Sequence, residues 1–101
     1  MTNSTVYVIR TTNHDLSRYE EQLPHHLTWV KEHVASGTFL FSGPQENRFD
    51  GGVIIARAAS REALDLILQS DPFRTSGVST HDVVAFNALF GSLAHTLTAN
   101  A

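Results

Sequence analysis

The chain contains no cysteine, which removes disulfides, thiol nucleophiles, thiolate zinc sites and iron–sulfur clusters together. Basic charge is sparse too: seven Lys and Arg against ten Asp and Glu give a net charge of −3. The seven are scattered rather than gathered on one stripe, so neither nucleic acid nor an anionic membrane is an expected partner. No stretch approaches the roughly 20 apolar residues that span a bilayer. The opening segment, Met1 to Thr5 and then the short run Val6–Ile9, lacks the basic start and the apolar core of a secretory signal. These features predict a soluble, cytoplasmic protein. Equally missing are a His-x-x-x-His pair, a Gly-x-Ser-x-Gly elbow and a glycine-rich phosphate loop, so no metal, serine-nucleophile or phosphate site is expected.

What is present describes an ordinary globular chain. It is 42% apolar and 17% charged over 101 residues, the size of one domain, expected over 1–101, with a thin core. Val6 to Arg10 reads as a first strand, ended by the polar run Thr11 to Asp15. Leu23, Leu27, Val30 and Val34 then form one apolar stripe at helical spacing. Pro24 suits that helix's first turn and Gly37 its end, with residues 16–22 as an irregular lead-in. Thr38–Ser42 is the second strand, closed by Gly43-Pro44, and after the segment Gln45–Gly51 a third strand runs from Gly52 to Ala58. Ser60 caps a second helix, with Glu62 in its first turn and Leu64, Ile67 and Leu68 as its buried stripe. Asp71-Pro72-Phe73 breaks it, and the last strand spans Thr80–Asn87, leaving 89–101 as a tail without assigned structure.

This order, βαββαβ, points to a ferredoxin-like α+β fold, with a four-stranded antiparallel sheet and both helices on one face. The strands are apolar on both faces: Val6 and Val8 alternate with Tyr7 and Ile9, Phe39 and Phe41 flank Leu40, and the third and fourth strands follow suit. A sheet covered on one side only should alternate apolar with polar, so a second cover is expected. A two-fold related copy is the simplest, making the protein a homodimer. The alternative is the tail folded back, through Leu89, Phe90, Leu93 and Leu97.

Six histidines are many for this length. His26 and His33 border the helix stripe, where His26 can be partly buried yet reach a cavity; a structural role is the competing reading. Asp71 stands where exposed helix carbonyls disfavour a negative charge unless a donor offsets it, or else it caps a new turn opened by Pro72. His81 and Asp82 are strand neighbours that point to opposite faces.

Three segments together resemble the YCII-related family: Pro24-His25-His26-Leu27, Gly37-Thr-Phe-Leu-Phe-Ser-Gly-Pro44, and Ser70-Asp-Pro-Phe73 with Ser76-Gly-Val78. The match in order and spacing covers about residues 6–88. The resemblance implies a dimeric α+β barrel and an active dyad of a helix histidine and the aspartate of Asp-Pro-Phe, here His26 and Asp71. It selects His26 over His25 through the Leu that follows. It also implies cofactor-free lyase or isomerase chemistry on a small cyclic or aromatic ligand, as in a family member that eliminates chloride from a chlorinated hydroxyhydroquinone. A non-catalytic small-molecule-binding dimer is the competing function. Ser42, Phe73 and Arg74 complete the expected pocket, Arg74 either attracting an anionic substrate or lying solvated at the surface. The cavity is expected between the sheet and the first helix, bounded by residues 71–74.

Overall fold

The computed structural model describes residues 4–94. Its elements are β1 (Thr5–Asn13), a 3-10 turn (Leu16–Arg18), α1 (Tyr19–Ala35), β2 (Phe39–Pro44), β3 (Gly51–Ala56), α2 (Arg61–Gln69), the short α3 (Pro72–Thr75) and β4 (Ser79–Asn87). The strands form one antiparallel sheet in the order β2-β3-β1-β4, the ferredoxin-like arrangement.

Register divides the sheet into two faces. Tyr7, Ile9 and Thr11 stand opposite Ala56, Ile54 and Gly52 on one side and Ala85, Val83 and His81 on the other, so these side chains share a face. The apolar rows of that face pack on Trp29 of α1 and on Leu64 and Leu68 of α2. Toward Thr11 and His81 the same face turns polar, and the candidate site lies there.

The outer face carries the row Phe41, Ile55, Val8 and Val84. Ala88 and Ala94 cover one corner by packing on Val6 and Ile55, while Phe41, Val84 and Phe86 remain 59%, 62% and 47% exposed. The described part of the tail therefore covers this face only in part. Leu97 lies outside the described residues.

Several local expectations are corrected. β1 runs three residues past Arg10, because β-branched threonines favour a strand and Asn13 is held by β3's approach: its amide nitrogen donates to Asp50 O at 2.9 Å and Nδ2 to Phe49 O at 3.1 Å. Pro24 lies inside α1 rather than in its first turn. Residues ahead of it become helical because Asp15 caps the preceding turn (Ser17 N to Oδ1, 3.0 Å) and Tyr19 is buried against Phe49 and Phe73. Burial of an aromatic ring at the helix start outweighs the cost of a proline farther in.

The packed face of α1 is also rotated from the predicted stripe. Tyr19 and Trp29 are its buried residues, whereas Leu27 and Val34 are 45% and 46% exposed. Trp29 buries the larger surface and satisfies its indole N–H on Ser70 Oγ at 3.0 Å, which a leucine stripe could not do. A bulge between Phe39 and Phe41 sends Phe39 inward opposite Ala56 and Phe41 outward opposite Ile55, so the two rings do not share a face. β2 continues to Pro44, which an edge strand tolerates because its missing N–H faces away from the sheet.

Candidate active site

Two junctions bring the site together. Trp29 Nε1–H donates to Ser70 Oγ, which in turn donates to Ile67 O at 2.7 Å, so α1 is stitched to the C-terminal end of α2. His26, three residues before Trp29 and on the same face, thereby meets the residue that follows Ser70. That residue is Asp71, which caps α3 by accepting Phe73 N–H on Oδ1 at 3.0 Å, with Pro72 at the first helical position. Capping and a histidine partner, alternatives in the sequence, coexist in the structure.

His26 Nδ1 lies 2.7 Å from Asp71 Oδ1, and His81 Nε2 lies 2.8 Å from Asp71 Oδ2. The Asp71 side chain is fully buried, that of His81 is 2% exposed and that of His26 15%. Burial alone would push the Asp71 carboxyl up, because a charge is costly away from water. The hydrogen bonds from His26 and His81, the His26 charge and the Phe73 N–H outweigh it, and the group is lowered from 3.8 to about 2. A carboxylate only accepts hydrogen bonds, so both imidazoles present N–H groups to it. For neutral His26 this places the hydrogen on Nδ1 and leaves Nε2 bare.

His26 lines a cavity of about 380 Å³ between α1 and the inner sheet face. Its walls are mostly apolar: Leu23, Leu27 and Val30 from α1, with Val53 and Ile54 from β3. The His26 ring stacks on Phe73 (centroids 4.2 Å apart, 12° between planes), and Phe73 stacks on Tyr19 at 5.2 Å. Gly51 and Gly52 form part of the lining. Gly51 is required in conformation as well, since its φ is +137° and a Cβ would stand 1.9 Å from Thr11 O.

His26, Ser42 and Phe73 line the cavity; Asp71 sits behind His26, in hydrogen-bond contact. Ser42 shares the inner face with Ile54. Arg74 is exposed and is not among the lining residues. Its place as the cavity's cation is taken by Arg48, which lines it from the β2–β3 loop, with its guanidinium 4.7 Å from the Phe49 ring and 5.7 Å from that of Tyr19. Among the described residues its charge is offset by a loose, exposed ion pair to Glu20 at 3.6 Å. His81 was missed as well. Strand parity could have found it: Val83 and Ala85 face the helices, so the residue two before Val83 must do so too.

A family model described as YCII-related domain matches residues 4–87. No curated protein matches the chain. Among solved structures it is similar to 5-chloro-2-hydroxyhydroquinone dehydrochlorinase from Burkholderia phenoliruptrix AC1100, in complex with 2,5-dihydroxybenzoquinone. The TM-score is 0.67 at 18% identity, covering 85% of this chain and 95% of that one. A likeness at that identity establishes the shared fold.

Proposed function

Because the chain belongs to the YCII-related family, we propose that it is a cofactor-free lyase or isomerase in which His26 transfers protons and Asp71 orients it. The observation that carries this reading is the 2.7 Å bond from the cavity-lining His26 to a fully buried carboxylate. Bare Nε2 takes a proton from an acidic C–H or O–H of the substrate, forming an imidazolium that Asp71 stabilises. The proton then returns at another substrate atom, which is isomerisation, or passes to solvent while a leaving anion departs, which is elimination. Acid–base catalysis of this kind supplies about 10²–10⁴ in rate.

The substrate is a small cyclic or aromatic molecule. Phe73 and Tyr19, stacked in series with His26, offer it a planar wall, and apolar surroundings keep water from the transferred proton. The structural neighbour holds a dihydroxybenzoquinone, a ligand of the same shape class. Arg48 supplies the positive charge for an anionic oxygen, and Ser42 offers a hydroxyl.

Phe41, Val84 and Phe86 on the outer sheet face are covered by a second copy of the chain. Their exposure in the single chain supports this, since a contiguous apolar patch on a soluble protein marks an interface.

The mostly apolar lining also suits a binding module without turnover. A thermal-shift screen of phenols, quinones and small lactones, followed by product analysis, separates the two. His26→Ala and Asp71→Asn should abolish turnover while leaving the oligomer intact. Unchanged turnover in both variants removes the dyad from the mechanism, and stabilisation without product favours the binding module.

A further inference from the structure

Asp71 has a second oxygen, and what holds it bears on the protonation of His26. Oδ1 already accepts two donors, His26 Nδ1–H and Phe73 N–H. Oδ2 faces His81 Nε2 at 2.8 Å. The other His81 ring nitrogen, Nδ1, is buried and has no hydrogen-bond partner among the described residues. A hydrogen there would be a buried donor without an acceptor, an arrangement that folded proteins avoid more strictly than an unpaired acceptor. Nδ1 is therefore the bare nitrogen of the neutral ring, and burial on that side fixes the hydrogen on Nε2, aimed at Asp71.

We infer that His81 is a positioning residue: through Asp71 it holds His26 in the Nδ1–H tautomer, with Nε2 bare for the cavity. This rests on the proton-transfer reading of His26. Because His81 is not among the residues that line the cavity, it acts only through the carboxylate. Three elements fix that carboxylate: α1 and the α3 backbone at Oδ1, and β4 at Oδ2. If the β4 donor is removed, Oδ2 becomes a bare, buried anionic oxygen. The carboxylate is then relieved by tilting away toward another donor. Once tilted it no longer holds a hydrogen on His26 Nδ1, and the ring is free to carry its hydrogen on Nε2, where it cannot act as base. A donor of similar reach should restore the arrangement, which makes His81→Gln the conservative variant and His81→Phe the disruptive one.

Long-range ¹H–¹⁵N NMR of the whole protein, recorded about two pH units above histidine's ordinary pKa, reads both tautomers without a substrate. In the wild type, His26 should be protonated at Nδ1 and bare at Nε2, and His81 the reverse. In His81→Phe the two His26 nitrogen signals should converge, as expected for mixed tautomers, while in His81→Gln they should separate again. A folded His81→Phe whose His26 signals are unchanged overturns the inference. So does a wild-type His81 with its hydrogen on Nδ1, and this observation decides alone should His81→Phe fail to fold. Failure of the parent reading looks different: turnover that survives His26→Ala would end the proton-transfer proposal with these tautomers intact.

Discussion

Asp71 makes acid stability a quantitative test of the site. Its carboxyl titrates at about 2 in the fold instead of 3.8, which corresponds to about 2 kcal/mol favouring the folded state when the group is charged. The sign follows from a lowered folded value: the stabilisation is complete above the unfolded value and is lost as pH falls through the folded one. About half should be gone near pH 3. Asp71→Asn keeps the shape but has no carboxylate to titrate, so the stability gap between wild type and variant should narrow by about 2 kcal/mol between pH 6 and pH 2. Urea unfolding of both proteins across that range, compared at constant ionic strength, measures the gap directly. A gap that stays constant would mean that Asp71 is not held as a charged acceptor between the two imidazoles. A gap that widens toward acid would contradict the direction of the shift itself.

Three further outcomes follow from named contacts. Val84→Asp, which puts a charge at the β4 end of the exposed outer row, should convert a dimer to a monomer in light scattering at micromolar concentration; a wild type that is already monomeric contradicts the proposed second copy. Gly51→Ala should cost about 2 kcal/mol or more, because the positive φ and the clash with Thr11 O act together, and chemical denaturation reads the loss; a stability within about 0.5 kcal/mol of wild type would refute the close approach. Arg48→Gln should weaken binding of anionic phenolates about tenfold while sparing neutral phenols, as isothermal calorimetry would show, and equal weakening of both would assign Arg48 a structural part instead.

Much of the fold was legible because short-range and long-range signals agreed. β-branched runs gave the strands, Ser60 capped α2 as expected through its bond from Ala63 N, and Gly37 closes α1 with φ +85°. The rotation of α1 was not legible. Apolar periodicity weighs Leu27 and Trp29 alike, whereas packing favours the larger ring with a partner for its N–H. The bulge in β2 escaped for a similar reason, since nothing in Phe-Leu-Phe marks an extra residue. Within the site, His26 and Asp71 could be named from the sequence, but their contact depends on Trp29 and Ser70, a link made only in three dimensions. His81 required knowing which face of β4 points inward, and Arg48 came from a loop whose course the sequence does not specify.

Removal of a proton from a bound ring compound by His26 Nε2, with Asp71 behind it, can be followed by incubating the compounds that stabilise the protein in deuterated water and recording their NMR signals. At least one of them should gain deuterium at an acidic carbon, or be converted to product, with wild-type protein and not with His26→Ala. Binding without exchange or conversion, or exchange that persists in His26→Ala, would deny His26 this part.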